Sequence, residues 1–485
     1  MTKVREGRVT LEVPQYDKDI YPREKWSTHT IEEYADALRA GAQFPPIILE
    51  DGTDKILDGV HRWKAYLKYQ AEYSEHEAQA QLIPDGNDWA QAPTEIAVEW
   101  HQVPEGIPAL LYAASMSARH GDRLTGAERK ALARKIFTDN PDFTLETLTE
   151  YLPVSKSSAG EYVADIRARR KEAQRMTAYR LHRLGWTQQE IGDTVGVSQS
   201  TYAEEYLSEF PGLEIPIKKL LSEGIPPLEV AERYNMPLIL VWAISLSGLT
   251  DAQRMTKLNI NVQPYDVWHF TKCHELFGSE HPGRIPGDLV AHALYFFTEP
   301  GDTVVDPMAG SGTTQDVCLA MGRKCYAYDI DDRHGRPDTI SHNIAKDGWP
   351  DRVKKADLIF WDPPYFQKMD KLNIGDDGYI DGSISGLERA EYLAFFGQRL
   401  AEARAMVRKG TRLTFLMSDW DDDTGEREGI FLWDYANILD AAGWKLRRHI
   451  QTPLSTQQVH PDIVNKFRAS RRLARLERYL LVAEA

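Results

Sequence analysis

Gly301-Asp302-Thr303-Val304-Val305-Asp306-Pro307-Met308-Ala309-Gly310-Ser311-Gly312-Thr313-Thr314 is the stretch on which the fold turns. Thr303, Val304 and Val305 read as a short buried strand, Asp306-Pro307 ends it, and the small residues from Ala309 to Gly312 make a turn that opens a helix. Strand, glycine turn and helix in that order belong to an α/β sheet that takes its ligand at the strand ends. Without a Cβ, Gly310 and Gly312 let the backbone come close to that ligand. Asp306 and the amides of the helix start then offer opposite hydrogen-bonding characters to a zwitterion. The next apolar run, Lys324-Cys325-Tyr326-Ala327-Tyr328, ends on Asp329. That is about 20 residues past Gly310, the separation at which an acidic residue reaches a ribose hydroxyl in a nucleotide-binding βαβ unit. A dinucleotide is the competing ligand, but Ala309-Gly310-Ser311-Gly312 lacks the three-glycine phosphate fingerprint.

A second apolar run, Ala356-Asp357-Leu358-Ile359-Phe360-Trp361, leads into Asp362-Pro363-Pro364-Tyr365. The exocyclic amine of a nucleobase is a poor nucleophile because its lone pair is delocalised into the ring. The Asp362 carboxylate and the Pro363 carbonyl can accept hydrogen bonds from such an amine, and the paired prolines stiffen the turn. Tyr365 can stack on a base taken out of a duplex, and Phe366 would extend that platform. Taken alone, Asp-Pro at a strand end is also ordinary turn chemistry.

Together these motifs resemble the DNA amino-methyltransferases that use S-adenosylmethionine. His281-Pro282-Gly283-Arg284-Ile285-Pro286 through Thr314 is similar to that family's first cofactor segment and its loop Asp-Pro-Phe-x-Gly-Ser-Gly-Thr-Thr, with Met308 in place of Phe. The resemblance covers residues 255–485. It implies a doubly wound, Rossmann-like methyltransferase sheet. It also implies a cofactor site of His281, Pro282, Pro286, Asp306, Pro307, Met308, Ala309, Gly310, Ser311, Gly312, Thr313, Asp329 and Ile330, with Asp362, Pro363, Pro364 and Tyr365 as catalytic residues. Asp347 would touch the adenosyl group or is a plain Asp-Gly turn. Because the cofactor loop precedes the tetrapeptide, the domain is circularly permuted relative to relatives that place the loop last. Asp rather than Ser at position 362 favours adenine-N6 over cytosine-N4. After Tyr365 the pattern predicts a helix over 387–407, a strand over 412–417, a helix over 432–442 and strands over 444–450 and 479–482. The polar loop 368–385 suits a flap over the base, and no room remains for a separate recognition insert.

In the N-terminal part, Ile56-Leu57-Asp58-Gly59-Val60-His61-Arg62-Trp63-Lys64-Ala65 reads as a strand, a turn and a helix start. Gly59, His61 and Arg62 there could form an anion site. The competing reading pairs Arg62 with an internal carboxylate. With Pro45-Pro46-Ile47-Ile48-Leu49 before it and Ser117-Ala118-Arg119-His120-Gly121-Asp122-Arg123-Leu124-Thr125 after it, the region resembles the α+β ParB-like N-terminal domain. That family implies DNA clamping and a cytidine nucleotide. Asp-Gly-Val-His-Arg stands where the family typically carries Gly-Glu-Arg-Arg, which puts nucleotide hydrolysis in doubt.

Between these parts lies an all-α region with a repeated helix-turn-helix pattern. Its second copy, from Thr187 to Tyr202, turns Ile191, Val195 and Val197 inward, turns the chain at Gly196 and caps a second helix with Ser198. Gln199, Ser200 and Thr201 would then meet base edges or phosphates. The first copy offers Ser155, Lys156 and Ser157 in the same way, whereas the third, around Leu238 to Trp242, is apolar and suits packing or a dimer surface. Arg167, Arg169, Arg170, Lys171, Arg175, Arg180 and Arg183 form a basic helical run expected to meet phosphates.

With 485 residues, 42% of them hydrophobic, the chain can bury several cores, so three domains are expected: 1–125, 126–254 and 255–485. A net charge of −15 argues against a uniformly basic DNA wrapper. Cys273, Cys318 and Cys325 lack metal-ligand spacing and no segment suits a membrane span, so no metal and a reducing cytoplasm are expected. The expected partners are S-adenosylmethionine and double-stranded DNA, with a homodimer and a cognate nuclease left open. The alternatives are a cytosine-N4 enzyme, a ParB-like regulator with a vestigial methyltransferase domain, and an RNA target.

Overall fold

The computed structural model describes residues 2–80, 89–117, 124–270, 272–280, 283–330, 334–366, 384–421, 428–429, 431–453, 464–465, 468–471, 473 and 476–485. They form two compact units, Met1–Lys171 and Glu172–Ala485. The division falls inside helix Ala164–Arg183.

The first unit is α+β. Strands β1 (Thr2–Thr10), β2 (Ile47–Glu50), β3 (Ile56–Asp58) and β4 (Glu95–Gln102) form a sheet in the order β1-β4-β2-β3. Only β2 and β4 run parallel. Ile47, Leu49, Ile56, Val98 and Trp100 supply its core; helix Val60–Ala80 packs beside it, and helix Thr28–Arg39 packs on that helix through Ile31, Ala35 and Leu38. Leu110 and Leu111 then share a core with Leu132, Ile136, Leu148 and Val163. The boundary expected after residue 125 is therefore not a packing boundary, because the helices that follow bury their apolar faces against the helix that precedes it.

The second unit is built on seven strands: β5 (Thr303–Asp306), β6 (Lys324–Asp329), β7 (Thr339–Ser341), β8 (Leu358–Trp361), β9 (Arg412–Ser418), β12 (Lys445–Gln451) and β13 (Arg478–Glu484). Trp420–Asp421 (β10) and Glu428–Gly429 (β11) pair separately. The main sheet runs β12-β13-β9-β8-β5-β6-β7. β5 to β9 are parallel and β13 is antiparallel to both its neighbours. From β5 the chain winds outward through β6 and β7, then returns to β8 on the opposite side. The order therefore reverses between β5 and β8, and a crevice opens at their carboxyl ends, where such sheets take ligands. The expected elements after Tyr365 fall within a residue or two of helix Arg389–Met406, β9, helix Leu432–Ala441, β12 and β13.

The helices between residues 172 and 258 share one hydrophobic core with this sheet. The reason lies at β6. β7 has three residues and pairs only with the far end of β6, from Ala327 onward. Near the start of β6, the Cys325 amide donates to the Leu184 carbonyl at 3.0 Å, and Trp186 Nε1 donates to the Cys325 carbonyl at 3.0 Å. Buried backbone groups need such partners, so the helical chain completes the sheet. Arg323, fully buried, pairs with Asp251 at 2.6 Å. The apolar third copy, helix Leu238–Ser245, lies against helix Thr313–Met321. A boundary after residue 254 would cut this core.

The basic run divides in the same way. Arg167 and Lys171 are exposed, whereas Arg180 Nε donates to Asp338 at 2.7 Å and its guanidinium also pairs with Asp316. Arg183 is held by Glu214 at 3.0 Å, and Arg175 by Glu172 at 2.9 Å. Arg180 is therefore buried against the sheet domain and not available to phosphates, while Arg175 and Arg183 are paired within the helical region. Among the described residues no helix is long and apolar enough to cross a membrane.

Removing one partner of a buried ion pair leaves an uncompensated charge. Arg180→Ala should therefore lower stability by about 3–5 kcal/mol in urea denaturation, whereas Arg167→Ala should change it by less than about 0.5 kcal/mol.

Candidate active site

β5 ends at Asp306, which is 2% exposed. Its Oδ1 accepts the Met308 amide at 3.0 Å, and the Thr314 hydroxyl also bonds the carboxyl. Burial, opposed by these bonds, pushes the Asp306 carboxyl up to about 7. The turn then needs left-handed backbone at Gly310 (φ +50°) and Gly312 (φ +85°). At Gly312 a Cβ would collide with the Arg336 guanidinium, whereas at Gly310 the place of the Cβ opens onto free space. Among the described residues the buried Thr313 hydroxyl, which lies close to Gly278, has no hydrogen-bond partner. The open space at Gly310 and the buried Asp306 carboxyl fit a polar cofactor such as S-adenosylmethionine. Asp329, at the end of β6, accepts the Gly310 amide through Oδ2 at 2.7 Å. Ile330 beside it is 38% exposed at the rim.

Behind the loop is a charged cluster that the sequence did not announce. Asp316 is buried in the helix that follows the loop and takes Arg180, Arg336 and the Gly278 amide. Arg336 also pairs with Asp338 at 3.0 Å and bonds the Ser311 carbonyl. These arginines hold the Asp316 carboxyl below the usual carboxylate range against its burial. The Ser279 amide donates to the Ser311 carbonyl at 3.0 Å, which lays the segment before Pro286 along the loop. Pro286 is buried at the start of helix Gly287–Phe297, while His281 and Pro282 lie outside the described residues.

β8 is buried along its whole length, and the Trp361 ring lies 5.2 Å from Trp349, 5.3 Å from Phe396 and 5.2 Å from Phe415. This packing carries the tetrapeptide out at the strand end. β5 and β8 are neighbours, with Val304 opposite Leu358 and Val305 opposite Ile359, so Asp306 and Asp362 emerge at the same rim. The Tyr365 hydroxyl donates to Asp362 Oδ1 at 2.9 Å, and the Tyr392 hydroxyl donates to the Pro364 carbonyl at 2.9 Å. Burial raises the Asp362 carboxyl to about 6, opposed by the charge of Arg478 and by the Tyr365 bond. Phe366 does not extend the stacking platform. It is 5% exposed and packs between Tyr392 and Phe431. Asp347 closes a short helix, Ile344–Asp347, before Gly348. The expected flap falls mostly on residues 367–383, outside the described residues.

The second helix-turn-helix copy has the expected turn. Thr187 and Glu190 form a capping box, Gly196 is left-handed (φ +75°) and Ser198 accepts the Thr201 amide. Gln199 and Ser200 are exposed and Thr201 is half-buried. Tyr202 and Tyr206 turn back into the core. In the first unit, Ser155 caps helix Lys156–Tyr162, with Lys156 paired to Glu146 and Ser157 exposed. Arg170 donates to the Pro141 carbonyl at 2.7 Å. The expected anion site is engaged internally. His61 Nε2 accepts the Ser27 amide at 2.9 Å, and Arg62 is held by Asp58 at 2.8 Å and by the carbonyls of Pro45 and Pro46. The space a Cβ would occupy at Gly59 is bounded by Arg62 itself. Most of the later basic box, 118–123, lies outside the described residues.

Residues 242–336 match the DNA methylase family model of the N6/N4 methyltransferases. Over 91 residues the chain is 34% identical to the DNA adenine methyltransferase YhdJ of Escherichia coli K12, covering 17% of this chain and 31% of that protein. It is also 35% identical over 79 residues to the type II methyltransferase M2.DpnII of Streptococcus pneumoniae, covering 16% and 30%. The matches thus span under a third of each relative's length. Among solved structures, TrmN of Thermus thermophilus is 17% identical over 41% of this chain and 49% of its own, with a TM-score of 0.26. The C-terminally truncated ParB of Caulobacter crescentus is 15% identical over 33% and 76%, with a TM-score of 0.18. Likeness at these scores carries no argument.

The raised Asp306 carboxyl has a consequence for stability. Its folded value, about 7, lies above the ordinary 3.8, so the stability it contributes is present below pH ~4 and is lost as pH rises toward ~7. Urea midpoints measured across that window should fall with pH more steeply for the parent than for Asp306→Asn, which cannot ionise.

Proposed function

We propose that this chain transfers a methyl group from S-adenosylmethionine to the N6 amine of an adenine flipped out of duplex DNA. The observation that carries this reading is the pairing at one rim of two carboxyls with different surroundings: Asp306 beside the open glycine loop, and Asp362 on a proline turn beside an aromatic ring. Residues 306–313, with Asp329, Ile330 and Pro286, would hold the cofactor. When bound, it supplies an electrophilic methyl group on a sulfonium.

The chain's own residues do the rest. Asp362 and the Pro363 carbonyl accept hydrogen bonds from the amine and draw its lone pair out of conjugation onto the nitrogen, which is placed for in-line attack and gives up one N–H proton as the methyl group is transferred. Asp362 performs this as the carboxylate. Its bond from the Tyr365 hydroxyl must open for the amine to take that place, which frees the Tyr365 ring to stack on the base. No covalent enzyme intermediate is needed. In this reading the ParB-like first unit and the exposed Gln199 and Ser200 engage the duplex. Cytosine-N4 is the second reading, because the matched family model is one of both N6 and N4 enzymes.

Sequencing of DNA from cells expressing the protein, by a method that distinguishes N6-methyladenine from N4-methylcytosine, tests activity, base and site together. Asp362→Ala should bind S-adenosylmethionine like the parent while single-turnover methylation drops roughly 10²–10³-fold. Tyr365→Ala should lose stacking worth about 1–3 kcal/mol, and Tyr365→Phe should recover most of it. An Asp362→Ala protein methylating at the parental rate would place the chemistry elsewhere.

A further inference from the structure

As a carboxylate Asp362 accepts a hydrogen bond from an amine most strongly and with no competing O–H donor, yet its surroundings oppose ionisation. It is half-buried, and Asp306 stands at the same rim, with Asp329 beyond it. Among the described residues, the groups facing Asp362 are Tyr365 on its own turn, Asp306 on β5, Tyr392 on helix Arg389–Met406, and Arg478 on β13. Of these only Arg478 is a cation.

The topology puts it there. β13 runs against the parallel strands, with Arg478 opposite Ser418 at the carboxyl end of β9. The first residue of β13 therefore stands at the rim where the parallel strands finish. Arg478 is 7% exposed. Its Nε donates to the Thr452 carbonyl at 3.1 Å, while the Thr452 amide donates to the Arg478 carbonyl at 2.7 Å. These two bonds fix the base of the guanidinium. The guanidinium also interacts with the Tyr365 phenol, which in turn donates to Asp362 at 2.9 Å. Among the described residues no carboxylate lies within salt-bridge distance of Arg478, so its charge is not consumed by a structural pair.

We propose that Arg478 is a positioning residue for methyl transfer: through the Tyr365 phenol and its own charge it holds Asp362 as a carboxylate ready for the incoming amine. This rests on the methyltransferase reading of the site. Arg478 does not touch the base or the cofactor. It acts through Asp362 and Tyr365, and its guanidinium stays fixed on Thr452 when the phenol leaves the carboxylate.

The test uses the full chain with Arg478→Gln and Arg478→Lys. Loss of the charge should move the acid limb of single-turnover methylation upward by about one pH unit, about tenfold in rate on that limb, with S-adenosylmethionine affinity unchanged. Arg478→Lys should return the limb toward the parental position. A second readout needs no turnover: infrared titration of the protonated carboxyl band, assigned by its absence in Asp362→Asn, should show the same upward movement in Arg478→Gln. An unmoved band in the folded Gln variant overturns the proposal. So does an Arg478→Lys variant whose band moves upward by about one pH unit from the parental position, an outcome that can be read even if Arg478→Gln fails to fold. If the parent methylates no DNA, the methyltransferase reading fails, and the infrared titration still decides whether Arg478 governs Asp362.

Discussion

Three separate stretches of chain meet at the carboxylate of Asp316. Arg180 comes from the helix preceding the second helix-turn-helix copy, Arg336 from the connection into β7, and the Gly278 amide from the segment ahead of Pro286. Asp316 itself sits in the first turn of the helix that the glycine loop opens. A buried carboxylate tolerates its desolvation only when several donors converge on it, so each of these stretches is obliged to be where it is. The left-handed glycine at 312 follows from the same arrangement, because Arg336 fills the space a side chain would need. The shape of the cofactor cradle is thus set from behind by charge, while the face turned toward a ligand stays open at Gly310.

The two site carboxyls are tuned by different surroundings at one strand junction. Asp306 faces chiefly hydrogen-bond donors from its own loop. Asp362 faces a phenol and a distant cation. Neighbouring parallel strands bring them to the same rim, and desolvation acts on both. A single fold feature, the reversal of strand order between β5 and β8, therefore produces both the ligand crevice and the electrostatic coupling within it.

The parallel strands were legible because β-branched and apolar runs end on Asp306, Asp329 and Asp362, and because glycine is required where the chain turns left-handed. The later elements were legible from hydrophobic period alone. What could not be read was which way charged side chains face. Arg180 lies in a run of arginines that looks solvated, and only the position of Asp316 and Asp338, more than 130 residues away, shows that it is buried. Arg62 sits at a helix start suited to anions, yet Asp58, one turn earlier, takes it. Phe366 adjoins the Asp362 tetrapeptide in sequence but turns to Tyr392 and Phe431. Arg478 gave a faint signal, the last of several arginines before the apolar Tyr479-Leu480-Leu481-Val482, which acquires meaning only once β13 is known to run antiparallel.

The seam at Cys325 governs how the second unit is put together. Modules joined by a flexible linker explore a range of separations, and their joint affinity follows an effective concentration set by tether length. Here the chain at Leu184 and Trp186 takes up backbone positions that a longer β7 would have filled. The offset between the Ser198-capped turn and the proline turn at Asp362 is therefore fixed by a shared core, with no tether to lengthen or shorten. Such a helical array cannot be exchanged as a cassette. Replacing it would leave the Cys325 amide and carbonyl without partners, so any change to the exposed face of these helices has to be made residue by residue.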